Sequence, residues 1–580
     1  MLGAGFLWDD DLYIYGNRLI RRLGGIADIW FSTRPVDYYP LSNSLLWLEW
    51  RLWGGNPAGY HLVNLILHAA TAVAVYRLLA LLRVPGAWLA AVLFAVHPVN
   101  VAAVGWAAQT KTLLAAFLAA LALAFWTRAM KGGDRTGRAG AWTAVLYVAA
   151  LLSKTSVVGL PAVMLLVMWW RNRKVSGGAA RLVLACLAVG IALGLLTMWF
   201  QYHRAIPPQL QGCAPPLQRV VSAIRAFWFY VGKILVPVRL SWMYEPWEDL
   251  PHWLLLSQSG ALILVVVVGW AWRSRSVGRG LIAGWLSFGA LMFPVLGLFD
   301  IGYLLYAPVA DHWAYAGAAA LLAMEAAAMA LIFRRVTGWI RQIWCVVLAV
   351  LVVVLASQAH ARARLFRNEE MLWTDAVRKS PRAWFAWLSL GNAALAKGDI
   401  QQATSYFHVV RSLKPDWPAL WVNLGIALAR SGDMEGAEDA FREALRLDGR
   451  EAHAHYNLAL LCRSQGRDRE AARHLEDTLR LLPYEANALQ ALADLLIRTE
   501  DPDLRDPARA VELARTACEI TGWHVPGLIR TLADSYFAAG WTNTARRVLK
   551  RAEAALAADD NAAFRRAARC LGLPAAGTEK

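Results

Sequence analysis

Apolar runs of membrane-spanning length recur through the first 360 residues, and no other feature restricts the possible folds so strongly. They lie near 61–83, 86–105, 111–127, 140–153, 156–170, 180–200, 253–271, 280–299, 312–333 and 340–358. A helix rises about 1.5 Å per residue, so roughly twenty residues match the hydrocarbon thickness of a bilayer. Backbone groups in hydrocarbon must satisfy one another, which selects helices. The expectation is an all-α, polytopic transmembrane domain of about 10–11 spans over residues 1–360.

Charge orients these spans. Residues 1–361 carry 28 Lys+Arg against 13 Asp+Glu, and the remainder carries 31 against 29, so nearly all of the net charge of +17 belongs to the apolar half. That location argues against a nucleic-acid partner. Arg77 and Arg83, Arg128 to Arg138, Arg171 to Arg181, Arg273 to Arg279, and Arg334 to Arg341 fall in alternate loops with Asp134 as their one acid. By the positive-inside rule these loops are cytoplasmic. The segment 220–236 would break the alternation if it crossed, so it is read as re-entrant or interfacial.

The intervening loops hold nearly all the acids of this half, including Asp9, Asp10, Asp11, Asp28, Asp37, Glu49, Glu245, Glu248, Asp249, Asp300 and Asp311. Residues 1–60 are therefore read as a first extracytoplasmic loop, and the eight residues before Asp9 are too few for the helix expected there, which suggests a truncated reading frame rather than a terminus translocated unaided. Glu325 is left within a span, as a functional group or a packing residue. The six cysteines form no CxxC pair and carry no zinc or redox assignment.

From about residue 382 the pattern changes to a period of 34. Gly398, Gly432 and Gly466 fall in step, as do Ala403, Ala437 and Ala471, and Pro415, Gly449 and Pro483. This is the tetratricopeptide (TPR) pattern of paired helices, with an insertion at "EDPDLRDP" in the fourth unit and a fifth unit around Gly540 and Ala545. The expected division is a linker at 361–381, about five repeats over 382–557 forming an extracytoplasmic superhelix, and a tail at 558–580. Stacked repeats offer a concave binding surface without chemistry of their own.

Several ordered motifs then bring the chain close to one family. They are "WDDDLYI", "HPVNVAAVGWAAQTK" with His97 and Lys111, "LLSKTSVVGLP" with Lys154, "YVGKILVP" with Lys233, and "ADHWAY" with Asp311 and His312. In this order, ahead of TPRs, they resemble the GT-C-type polytopic glycosyltransferases, which include the transmembrane-and-TPR O-mannosyltransferases and their bacterial relatives. Bacterial relatives usually read HP-x-x-VESVAWVAERKD at the second motif. Here Ala102, Gln109 and Thr112 stand in place of Glu, Glu and Asp, and Thr110 in place of Arg; His312 replaces Arg in ADRYxY.

The resemblance implies transfer of a sugar from a polyprenyl or dolichyl phosphate to a hydroxyl of a protein or envelope glycan, on the extracytoplasmic face. Asp9 and Asp10 would supply the catalytic base or hold a divalent cation; otherwise they form a solvated acidic loop. Lys111, Lys154 and Lys233 would bind the lipid phosphate, or merely reach toward headgroups. His97, Asp311 and His312 either contact substrate or end helices. The partners implied are the lipid-linked sugar, membrane lipids and an acceptor presented by the TPR array, in a setting that fits a bacterial inner membrane. Two alternatives remain open at this point: a non-catalytic assembly scaffold, and a polymerase or ligase of lipid-linked oligosaccharides.

Overall fold

A computed structural model describes residues 2–130, 137–171, 176–206, 215–247 and 278–557; the expected span 253–271, the acids Glu248 and Asp249, and the tail 558–580 lie outside the described residues. Among the described residues every regular element is helical. Two compact units divide after Ala386.

Among the described residues of the first unit, six helices are long and apolar enough to cross a membrane: Pro57–Leu81, Ala107–Met130, Gly177–Ala205, Gly278–Val295, Asp311–Arg335 and Gly338–Leu365. The start of the first shows why these runs begin where they do. The Asn56 side chain accepts the N–H of Ala58, and Pro57, which lacks an N–H to leave orphaned, occupies the first helical position. The expected span 86–105 is instead two pieces, Ala87–Val96 and Pro98–Val104, bent by 48°. Pro98 removes a helical donor at the bend. Arg138–Ser153 and Thr155–Trp170 are shorter apolar helices.

The helix Pro216–Leu235 covers the segment read as re-entrant or interfacial. Its buried residues Ala223, Ala226, Tyr230, Val231 and Ile234 recur at helical spacing on one face, while Leu217, Val220 and Leu235 are exposed. Helix Gly338–Leu365 buries Leu355 and Arg362 and turns Val346, Val350 and Val353 outward. Such an outer surface suits hydrocarbon better than water. Residues 369–379, expected as linker, form a helix capped by the Asn368 side chain, which accepts the N–H of Met371, and they bury Leu372 and Trp373.

In the second unit, helices pair as the period of 34 requires, for example Pro418–Ser431 with Met434–Leu447 and Ala452–Ser464 with Asp468–Leu481. Gly432 ends its helix at φ +92°, in the left-handed region where a side chain is strained, and Gly398 and Gly466 repeat that turn. The rings of Phe407 and Phe441 are buried at the matching position of successive repeats; truncating one to Ala should cost about 3–5 kcal/mol. The "EDPDLRDP" insertion is fastened by Arg469, which donates to Asp501 and, at 3.0 Å, to Asp503.

Glu49, in helix Pro40–Trp53, is buried, and among the described residues neither of its carboxylate oxygens has a hydrogen-bond partner. Burial pushes its carboxyl up to about 8. A raised carboxyl favours the protonated fold, so stability is retained at low pH and is lost as pH rises from the unfolded value, near 4.5, through about 8. Glu49→Gln should therefore raise the thermal midpoint of the full chain in detergent at pH 8.5, by the equivalent of a few kcal/mol. At pH 4 it should leave the midpoint unchanged.

Candidate active site

The acidic triplet separates on folding. Asp10 is fully buried: one of its carboxylate oxygens accepts the N–H of Leu7 at 2.8 Å, and the other accepts the N–H of Ala108 at 2.6 Å. Burial raises its carboxyl to about 8, against the pull of these backbone donors. Asp9 is half-buried, and its carboxyl is raised to about 6 by burial, with Lys111 pulling it down and Asp37 pushing it up. Asp11 is exposed and begins the π-helical turn Asp11–Tyr15.

Trp8 explains why the loop holds this shape. Its ring stacks on Trp106 at 5.7 Å and is surrounded by Trp242, Tyr303, Tyr306, Trp373 and Phe385. The residue lies at φ +42°, an arrangement that costs of order 1–3 kcal/mol and that the aromatic packing must offset.

Lys111, at the start of helix Thr110–Met130, places Nζ 3.6 Å from the centroid of the Tyr13 ring and 3.9 Å from Asp37 Oδ2. Asp37 also accepts from the Tyr13 hydroxyl and, at 2.5 Å, from Gln201 Nε2. Lys154, in the break between Arg138–Ser153 and the turn Thr155–Val157, donates to Thr112 Oγ1 at 2.8 Å and approaches Gln109 Oε1 at 3.5 Å. Burial, with Lys111 as the second cause, lowers its ammonium to about 7. Lys111 thus lies within electrostatic reach of Asp9, Asp10 and Lys154, and Gln109 and Thr112 are the contacts of Lys154.

The neighbours Asp311 and His312 part company. Asp311 pairs with Arg362 at 2.5 Å and accepts from the Tyr244 hydroxyl at 2.9 Å. His312 packs edge-on to Trp106 at 5.3 Å and to Tyr303 at 5.6 Å, on the lysine side. His97 has both ring nitrogens engaged: Nδ1 accepts the N–H of Val99 at 3.3 Å, and Nε2 donates to the Ile234 carbonyl at 2.9 Å. Lys233 donates to the carbonyls of Val238 and Arg239. The structure therefore sets His97 and Lys233 into backbone contacts and Asp311 into an ion pair, away from the Asp9 group.

Three residues of the cluster, Tyr13, Asp37 and Gln201, were not singled out from the sequence. Asp37 stood there only as one acid of an outer loop. Its link to Gln201 spans 164 positions, which no local pattern encodes. An apolar cavity of about 700 Å³ lies elsewhere, lined by residues including Leu78, Leu82, Trp170, Gly284 and Met324. It contains none of the charged groups above.

A family model described as the cilia and flagella-associated protein 70 C-terminal domain matches residues 309–501. A protein O-mannosyl-transferase of Caenorhabditis elegans is 30% identical over 118 residues, which cover 18% of this chain. The chain spans 17% of that curated relative's length. Solved structures similar to part of the chain include MamA, at 24% identity and TM-score 0.23 over 26% of this chain and 80% of that one. Another is PilW, a type IV pilus biogenesis factor, at 18% identity and TM-score 0.29 over 34% and 86% respectively. The chain accordingly shows weak homology to an O-mannosyl-transferase and carries a C-terminal TPR-type domain.

Asp37 compensates the buried ammonium of Lys111. Asp37→Ala should destabilise the first unit by roughly 3–5 kcal/mol, since removing one partner strands the other charge. Thermal unfolding of the full chain in detergent measures this. The variant Asp37→Ala/Lys111→Met should recover part of the loss.

Proposed function

We propose that the chain is a multi-pass membrane glycosyltransferase that moves a sugar from a polyprenyl or dolichyl phosphate to a hydroxyl of a protein or envelope glycan on the extracytoplasmic face. The observation that carries this reading is the placement of Lys111 within electrostatic reach of both the Asp9 carboxyl and Lys154. The weak homology to an O-mannosyl-transferase supports it.

In the proposed reaction the acceptor hydroxyl gives its proton to the carboxylate of Asp9, and its oxygen forms the new bond to the anomeric carbon. The bond from that carbon to the phosphate oxygen breaks, and its electron pair stays on the lipid phosphate. Lys111 and Lys154 stabilise that developing charge. Asp10, with both oxygens held by backbone N–H groups, acts as a positioning residue that fixes Asp9 beside the second motif. A carboxyl raised to about 6 suits a base working near neutrality. Asp9 and Asp37 also offer oxygen ligands of the kind a divalent cation takes.

A specific observation favours the second reading, a scaffold that recruits partners through its TPRs. Ala102, Gln109 and Thr112 are neutral where relatives carry acids, and Gln109 and Thr112 sit against Lys154. Transfer from a polyprenyl-phosphate sugar by the purified full chain separates the two; its absence with every donor tested supports the scaffold.

The pH profile of kcat/KM for transfer should be a bell. The acid limb rises as Asp9 loses its proton through about 6, and the alkaline limb falls as Lys154 loses its own through about 7. Asp9→Asn should lower transfer by roughly 10²-fold or more and leave folding intact. Lys154→Arg, which stays charged, should abolish the alkaline limb, while Lys154→Ala should weaken the donor more than the acceptor. Asp11→Asn should be mild. An Asp9→Asn variant with full transfer would remove the proposed base.

Topology provides a separate check. Cysteines introduced in the 128–138 connection should resist an impermeant thiol reagent in intact cells, and cysteines on the TPR array should react. The opposite pattern would place the Asp9 group in the cytoplasm.

A further inference from the structure

Within the third repeat, His455 on helix Ala452–Ser464 faces His474 on helix Asp468–Leu481, with their Nδ1 atoms 3.0 Å apart. Asp477, one turn after His474 on the same helix face, adds a carboxylate, and the three ligand atoms lie within 4.8 Å of one another. The far nitrogen of His455 is 3.4 Å from the Gly449 carbonyl, which can only accept, so Nε2 carries the proton and Nδ1 presents its lone pair toward His474. Glu470 Oε1 is 3.9 Å from His474 Nε2, in the place where a carboxylate orients a ligating imidazole. Arg480 holds Asp477 Oδ1 at 2.8 Å and leaves the second oxygen available.

We infer that His455, His474 and Asp477 form a site for a borderline divalent first-row cation of the zinc class, bound by two imidazole nitrogens and one carboxylate oxygen. Two nitrogens at bonding distance on a tetrahedral ion stand about 3.3 Å apart, so the imidazoles need to open by only a few tenths of an ångström. Imidazole donors select against calcium and magnesium, which take oxygen ligands. His474 and Asp477 are 17% and 26% exposed, so an ion can enter from water. Three protein ligands leave a fourth position for water or for a side chain of a docked partner. Because the ligands come from both helices of one repeat, the ion would tie that pair together. The inference does not depend on the transferase reading.

The test uses the tag-free full chain in detergent, stripped with a chelator and titrated with zinc chloride by calorimetry and with cobalt(II) chloride by visible absorption. One ion per chain should bind, the cobalt complex should show the intense absorption of a tetrahedral site, and zinc should raise the thermal midpoint of the chain. His455→Gln and His474→Gln should each weaken zinc at least about tenfold and remove the cobalt band, while His453→Gln, at an exposed position on the same helix, should not. Circular dichroism and the metal-free thermal midpoint confirm that the variants fold. Binding that survives both substitutions, or no saturable binding to the unaltered chain, would overturn the site.

Discussion

The contact between Asp10 and the N–H of Ala108 is the constraint on which the candidate site depends. It joins two stretches 98 residues apart, and it does so with a fully buried carboxylate whose other oxygen closes a turn on Leu7. Burying a charged or polar group is costly unless its hydrogen bonds are satisfied, and here both oxygens are satisfied by the backbone. The bond therefore specifies a single arrangement of the N-terminal segment against the turn that starts helix Thr110–Met130. Trp8, held at positive φ inside a ring of aromatic side chains, supports the same placement from the other side. Asp9 lies between these two anchors in the sequence and within electrostatic reach of Lys111.

Around that anchor the charges are balanced over long sequence distances. Asp37 takes Lys111, Tyr13 and Gln201, so one carboxylate ties together the first loop, the start of one apolar helix and the end of another. The Asp311–Arg362 pair does the same for the last apolar helix, with Arg362 also reaching the Pro98 and Ser241 carbonyls at 3.5 and 3.4 Å. These pairs are buried, so neither contributes much as net attraction; their effect is to make alternative packings expensive. Asp311 and His312 are successive residues of the short helix Asp311–Ala314; the first joins the Arg362 pair and the second packs on Trp106 and Tyr303.

Repetition and hydropathy were legible in the sequence; long-range partners were not. The step of 34 between Gly398, Gly432 and Gly466 located the repeat turns because each needs the same left-handed backbone. Among the described residues the apolar runs fell in helices, but a bend at His97 and Pro98 interrupted one of them, where Pro98 lacks a donor and the His97 ring accepts the N–H of Val99. Three adjacent aspartates read as a polar loop, since nothing local says that the second is buried while the third is exposed. Asp37 and Gln201 are unremarkable in their own neighbourhoods. Only the folded chain shows them as one hydrogen-bonded pair.

The neutral residues beside Lys154 carry the electrostatic argument furthest. A buried ammonium with a carboxylate neighbour is already compensated, and a phosphate entering such a site must compete with that carboxylate. Here the hydrogen-bond partners of Lys154, Thr112 and Gln109, are dipoles, and Asp37 offsets the repulsion of Lys111 only in part. Burial first, and the repulsion of Lys111 second, leave the ammonium under-compensated and its proton loosely held. Under the proposed function, the single negative charge of an arriving lipid-linked phosphodiester would supply the missing charge and raise the affinity of Lys154 for its proton. Replacing acids at these positions therefore need not mean that a site has decayed. Under the proposed function, the same exchange would favour an anion beside Lys154 and tie the protonation of Lys154 to its presence.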